Sequence, residues 1–210
     1  MPNLGELDHL VYGVPDLLSG VRQFAEDAGV EPVVGGRHAG LGTANYLVRL
    51  GAYAYLEIIG PDPQSPGAPT PYLFGVDTLT TPALLTWCVR TEDIDHRIAL
   101  ARSQGYDPGD AIGMSRVTRT GDVLSWRLTP NTIQDTSGTV PCLIDWGQST
   151  HPTASDLPQL ELAEFAVLSP SVDITAGQLD ALGVSLAVEY SSTAHLRAVL
   201  DTPNGRLTLT

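Results

Sequence analysis

The chain contains no lysine. All 11 of its basic residues are arginine, they stand against 24 acidic ones, and the formal net charge is −13. So little positive charge leaves no basic face for a polyphosphate backbone or an anionic bilayer, and neither nucleic acid nor membrane is an expected partner. Long apolar runs are missing as well: no stretch approaches the ~20 residues that cross a bilayer. The opening MPNLGELDHL lacks the basic and apolar regions of a secretory leader. Cysteine is scarce. Cys88 and Cys142 make neither a disulfide framework nor a CxxC metal knuckle, which predicts a reducing, cytoplasmic location and two ordinary buried thiols. What is present, 42% hydrophobic and 17% charged residues in a chain of 210, suffices for a sizeable core in one compact domain.

The pattern of that material repeats. LDHLVYGV (7–14) is rich in strand formers, and VPD turns into LLSGVRQFAEDAG (17–29), whose apolar residues recur at helical spacing up to a glycine stop. VVGGRHAGLG (33–42) reads as a short strand entering a glycine-rich bend. NYLVRLG (45–51) and AYLEIIGP (54–61) follow as a hairpin. The order βαβββ returns in LLTWCVRT (84–91), IDHRIALARSQG (94–105), GMSRVTRTG (113–121), VLSWRLTP (123–130) and VPCLIDWG (140–147). A shorter third copy reads LELAEFAVLSP (160–170), ITAGQLDALG (174–183), SLAVEYSS (185–192), HLRAVLDTP (195–203) and GRLTLT (206–210). PDPQSPGAPTP (61–71) and QSTHPTASDLP (148–158) are loops between units. Self-similarity of this grain is a fold-level signal. It predicts an α+β fold in which residues 1–63 and 64–158 form two modules and 159–210 a smaller third unit of one domain.

One residue in this frame needs a partner. Glu57 lies inside the apolar run AYLEIIGP, and an ionised carboxylate among apolar neighbours is costly unless something neutralises it.

DHLVYGVPDL (8–17) and YLEIIGPD (55–62) resemble the first and fourth strands of the vicinal oxygen chelate superfamily. That superfamily includes glyoxalase I, extradiol dioxygenases and the bleomycin-resistance proteins. GGRHAGLGTAN (35–45), YLEIIGPDP (55–63) and LIDWGQSTHP (143–152) resemble its glyoxalase-like domain branch. The resemblance spans essentially the whole chain. It implies paired βαβββ modules forming a curved mixed sheet around a cavity, with the helices outside. It further implies metal ligands on the first and fourth strands of each module. Residue by residue these positions are His9 and Glu57, then Thr86 and Asp145, with Glu57 also a candidate general base. His9, Glu57 and Asp145 make an oxygen-rich set suited to one divalent ion such as Mn, Fe, Mg, Ni or Zn. Thr86 is a poor fourth ligand, so the superfamily's metal-dependent lyase, isomerase or dioxygenase chemistry is one expectation, and a metal-free binding or sequestering protein is the other. Glyoxalase I activity itself, which uses a full ligand set, is not expected.

Alternation along the strands sorts the remaining candidates. With His9 inward, Leu7 and Val11 join it, and Thr86 brings Cys88 and Arg90. With Asp145 inward, Cys142 points away, which separates the two cysteines. If the apolar residues of 45–51 and 123–130 pack under the helices, then Asn45, Arg49, Ser125 and Arg127 face the cavity. A guanidinium there could neutralise Glu57 or Asp145 without any ion. Arg49, Arg127, Thr86, His38, Asn45 and Ser125 are therefore the candidate contacts for a small, anionic or oxygen-rich ligand. His38 reads either as part of a loop over the cavity mouth or as a surface turn. His151 fixes a loop or gates the pocket, and Trp126 and Trp146 read as core anchors. A homodimer formed through sheet edges is compatible with the pattern.

Overall fold

Three βαβββ units follow one another in the computed structural model, which describes residues 6–38, 40–65, 72–118, 121–130 and 137–210. The first comprises β1 (Leu7–Gly13), α1 (Leu17–Ala28), β2 (Val33–His38), β3 (Thr43–Leu50) and β4 (Tyr55–Pro61). The second comprises β5 (Ala83–Arg90), α2 (Ile94–Ser103), β6 (Ile112–Val117), β7 (Val123–Leu128) and β8 (Cys142–Asp145). The third comprises β9 (Gln159–Ser169), α3 (Val172–Ala181), β10 (Val188–Tyr190), β11 (His195–Thr202) and β12 (Gly205–Leu209). Parts of the loop 61–71 and of the strand expected over 113–121 lie outside the described residues.

The helices start where their sequence dictates. Asp16 caps α1 by accepting a hydrogen bond from the Ser19 amide, and Asp93 caps α2 through the His96 amide. Gly29 ends α1 in the left-handed region, with φ of 70°.

The first two units close on each other. Their strands run β3-β2-β6-β7-β8-β5-β1-β4, and β4 pairs back to β3, so eight strands make a barrel-like ring. The third unit joins through β9, which pairs in parallel with Arg49 and Leu50 of β3, past the point where β2 ends. A large apolar core fills the space between the ring, the helices and this third unit, and includes Leu10, Phe24, Trp87, Ile94, Leu143, Phe165 and Leu179. A second cluster lies inside the ring: Leu47, Tyr55, Cys88, Met114, Trp126, Leu128, Cys142, Ile144, Trp146 and Leu157.

That second cluster corrects the expected faces of the second module. Trp126 and Leu128 point into the ring, while Val123, Ser125 and Arg127 are exposed. The expectation failed because α2 covers β8 rather than β7, so the outer face of β7 meets water and its apolar set turns inward. On β8, Cys142, Ile144 and Trp146 likewise point inward and Leu143 packs outside. A one-residue error of register inverts every side chain of a strand. The cysteines are corrected with it: Cys88 and Cys142 are register partners on adjacent strands, share the ring interior, and form no disulfide.

Candidate functional site

The polar part of the ring interior is built by the first module. In β1, the pairing with β5 shifts register between Leu7 and His9, leaving Asp8 as the extra residue of a bulge. Leu7 thereby joins the outer core, and Asp8 and His9 both reach polar partners in the interior. Glu57 registers with Val11 of β1 and Leu47 of β3, and Asn45 lies two residues further along that face. His38 ends β2, and its ring nitrogen Nδ1 lies 2.9 Å from Thr43 Oγ1.

These side chains form one chain of polar contacts, nearly all of it buried. His38 Nε2 is 3.6 Å from Glu57 Oε1, and His9 Nε2 is 3.8 Å from Glu57 Oε2. The Asn45 amide donates to Glu57 Oε1 and accepts from Arg116 Nη1 at 3.0 Å. His9 Nδ1 donates to Asp8 Oδ1 at 2.7 Å. Asp8 Oδ2 accepts from Trp146 Nε1 and from His151 Nε2, each at 3.1 Å. The Tyr55 ring stacks on His9 with centroids 4.7 Å apart.

Burial alone would raise the Asp8 carboxyl, but the hydrogen bonds from His151 and His9 outweigh it. The group is held well below the usual carboxylate range. An ionised carboxylate only accepts, so it fixes a proton on His9 Nδ1 and another on His151 Nε2. His151 Nδ1 is then free to accept from the Thr153 amide, which it does at the start of the 152–154 turn. Burial lowers the His38 pKa; Glu57 opposes the shift, while Arg116 and His9 reinforce it. Burial, with Asp8 and Glu57 nearby, raises Tyr55 well above its ordinary value.

Two hollows meet at this cluster. An inner cavity of about 20 Å³ is lined by His9, His38, Asn45, Tyr55, Glu57 and Arg116 among others. Beside it runs an open groove of about 1310 Å³, walled by β6, β7 and residues 145–157. The groove is the larger by far, yet it lies next to the acid cluster rather than on it. Met114, Arg116, Trp126 and Trp146 line both, so these four side chains form the boundary between the groove and the inner cavity.

The expected site residues separate into two groups. His9, Glu57, Asn45 and His38 come together. His38 is neither loop nor surface: it is a buried strand residue, 5% exposed. Thr86 is fully buried and registers with Val11. The others lie elsewhere. Asp145 turns outward, where its carboxylate accepts from the Ile94 amide at the start of α2 and from the Gly147 amide. Arg127 forms a bidentate pair with Asp95 on the exposed side, at 2.6 and 2.7 Å. Ser125 is exposed and its amide donates to Ser149. Arg49 shares the interior face but spends Nη2 on the carbonyls of Thr153 and Ser155, tying down that loop. The expected Arg49–Glu57 and Arg127–Asp145 pairs are therefore absent.

The shift at Asp145 has a geometric origin. Val11 registers with Glu57, and the matching residue of the second module, Cys88, registers with Cys142. Cys142, not Asp145, is the counterpart of Glu57. Asp8 and Arg116 are the residues that the sequence reading missed. Asp8 had no signal, since a bulge is invisible to alternation. Arg116 could have been found from the inverted register of β6 and β7, which puts it inside.

The donor set does not suit a metal ion. His9 and His38 approach opposite oxygens of Glu57, and Asp145, the third expected ligand, turns outward to the start of α2. One of those oxygens is already hydrogen-bonded by Asn45. Among the described residues no three His, Cys, Asp or Glu side chains converge as ligands, and the nearby Arg116 guanidinium disfavours a second cation.

A ring of paired βαβββ modules with its polar cluster on the first and fourth strands is the vicinal oxygen chelate architecture. Residues 7–183 match the family model described as a glyoxalase-like domain, and the chain belongs to that family. A hypothetical protein from Staphylococcus aureus has a similar structure, with a TM-score of 0.66 and 17% identity over 96% of this chain and 83% of its own. Methylmalonyl-CoA epimerase from Mycobacterium tuberculosis aligns over 71% of this chain and 92% of its own, at 17% identity and a TM-score of 0.43. A triple mutant of 4-hydroxymandelate synthase from Streptomyces coelicolor aligns over 97% of this chain and 62% of its own, at 15% identity and a TM-score of 0.47. No curated protein matches the chain significantly. Among the described residues no helix is long and apolar enough to cross a membrane.

Proposed function

We propose that this protein binds a small, oxygen-rich molecule with one end at the inner cavity and acts on it by proton transfer without a metal. The observation that supports this reading is Glu57: a buried carboxylate flanked by His9 and His38 and lining a cavity that shares wall residues with a groove. Such a carboxylate is placed to accept a hydrogen bond from a ligand hydroxyl, or a proton from an acidic O–H or C–H. The Asp8 clamp holds His9 in one tautomer, with Nε2 facing Glu57. Asn45 supplies a fixed amide at the same oxygen. The buried cysteines, which form no disulfide, agree with a reducing compartment such as the cytoplasm.

The test is to follow the ring resonances of His9 and His38 while adding neutral oxygen-rich compounds such as dihydroxyacetone, glycerol and diacetyl. The expected result is saturable movement of both rings by at least one compound, lost in Glu57→Leu. If none of them moves either ring, the reading fails. Addition of Mn²⁺, Ni²⁺ or Zn²⁺ is expected to leave the rings and Tm unchanged; saturable binding of an ion in wild type but not in Glu57→Leu would restore metal chemistry.

A further inference from the structure

Arg116 is the one described side chain of the inner cavity with a permanent positive charge, and its environment is unusual. It is only 4% exposed. Among the described residues no carboxylate lies within ion-pair distance of it, and its one side-chain hydrogen bond goes from Nη1 to the amide oxygen of Asn45. Nε is buried and has no hydrogen-bond partner among the described residues. A buried guanidinium normally has its donors satisfied, because each unmet one forfeits the hydrogen bonds it had in water. Arg49 Nε is also without a partner, but Arg49 lies outside both hollows and its Nη2 is committed to two carbonyls.

The backbone has been cleared to let Arg116 lie there. A Cβ on Gly35 would sit 2.4 Å from Arg116 Nη1 and 2.3 Å from Asn45 Oδ1. One on Gly36 would sit 2.4 Å from the Val117 carbonyl, next to Arg116 in β6. The paired glycines of β2 therefore admit the guanidinium and the close approach of β6. Arg116 lines both the inner cavity and the groove, so it stands at the boundary between the two.

We propose that Arg116 anchors an oxyanion, the carboxylate or phosphate group of a ligand whose body lies in the groove and whose adjoining atoms reach Glu57. This rests on the reading above, that the cavity is a ligand site, and adds the charge class of the ligand. A guanidinium fork recognises both anions with parallel N–H donors. Asn45 separates that fork from Glu57, so the anion and the carboxylate occupy opposite ends of one hydrogen-bonded chain. The exposed Arg127, spent on Asp95, does not contribute.

The test is to titrate the intact protein with sodium phosphate and, separately, sodium malonate, at constant ionic strength held with sodium chloride. The Arg116 Nε–Hε resonance is the readout. Saturable movement by one anion, at concentrations up to about 10 mM, is expected and identifies whether the anchor takes phosphate or carboxylate. In Arg116→Lys the affinity should fall at least about tenfold, with near-UV circular dichroism as the check on fold. A purely structural Arg116 predicts no movement of the resonance by either anion in wild type, and that result overturns the proposal without needing any variant. Equal affinity in a folded Arg116→Lys protein overturns it as well. If neutral compounds move His9 and His38 while no anion moves Arg116, only the anchor is wrong; if nothing moves either, both readings fall.

Discussion

Asp8 and His9 are neighbours in one strand, yet both reach into the ring interior, with Asp8 Oδ1 2.7 Å from His9 Nδ1. Regular alternation would put them on opposite faces. The bulge at this point of the β1–β5 pairing removes that constraint. The same carboxylate also receives Trp146 and His151, from beyond the other end of the ring's pairing order. Asp8→Ala would strand three buried donors at once. It should cost about 3 kcal/mol or more in urea unfolding, and a loss under about 1 kcal/mol would show that water replaces the carboxylate.

His38 gives the protein a pH dependence of defined sign. Its pKa is lowered in the native state by burial, with Glu57 opposing and Arg116 and His9 reinforcing. The unfolded chain takes up a proton near the ordinary histidine value while the native ring does not. Stability is therefore intact above about pH 6.5 and falls as the pH drops below it, by up to ~1.4 kcal/mol per unit for this one group. His38→Gln should show a shallower loss between neutral pH and the native-state titration. Equal slopes in the two proteins would place the effect elsewhere.

Two helical glycines should respond oppositely to alanine. Gly177 of α3 has nothing within 4 Å of an added Cβ, so Gly177→Ala should gain roughly 0.5–1 kcal/mol from helix propensity. Gly20 of α1 would place its Cβ 2.6 Å from Val14 Cβ, a stiff neighbour. Gly20→Ala should lose about 1 kcal/mol or more despite the same propensity gain. Denaturant midpoints of both variants check the contrast.

Gly35→Ala tests the cleared backbone beside Arg116. The added methyl must displace the guanidinium or the Asn45 amide. The expected cost is about 1–3 kcal/mol, together with a weaker response of Arg116 to anions. Arg127→Ala, at the groove but paired with Asp95 instead of facing the inner cavity, should leave a saturable anion response of Arg116 in place.

Much of the fold was readable because repetition is a property of spacing. The three βαβββ units, the caps at Asp16 and Asp93, and the inward face of β3 and β4 all follow from periodicity and turn residues. The first module's half of the site, His9, Glu57 and Asn45, was legible for the same reason. The second module's half was not. β7 has apolar residues that suit either the ring interior or a helix, and only the position of α2 over β8 decides between them. Inverting that choice sent Arg127 and Asp145 inward on paper and hid Arg116. Asp8 was hidden differently, by one unpaired residue.

The branching of the sheet at β3 has a consequence for assembly. Every strand of the ring has a neighbour on both sides, but β2 and β6 share only the register pairs Arg37–Val117 and His38–Arg116, so much of their facing borders stays unpaired. In the third unit, β10 and β12 each pair on one side only. Arg206, beside Asp201 and Glu164, puts charge along the β12 border. The outer border of β12 therefore lies on strands that do not line the cavity, whereas the open borders of β2 and β6 are also walls of the groove, so a chain that paired there would cover the ligand's way in.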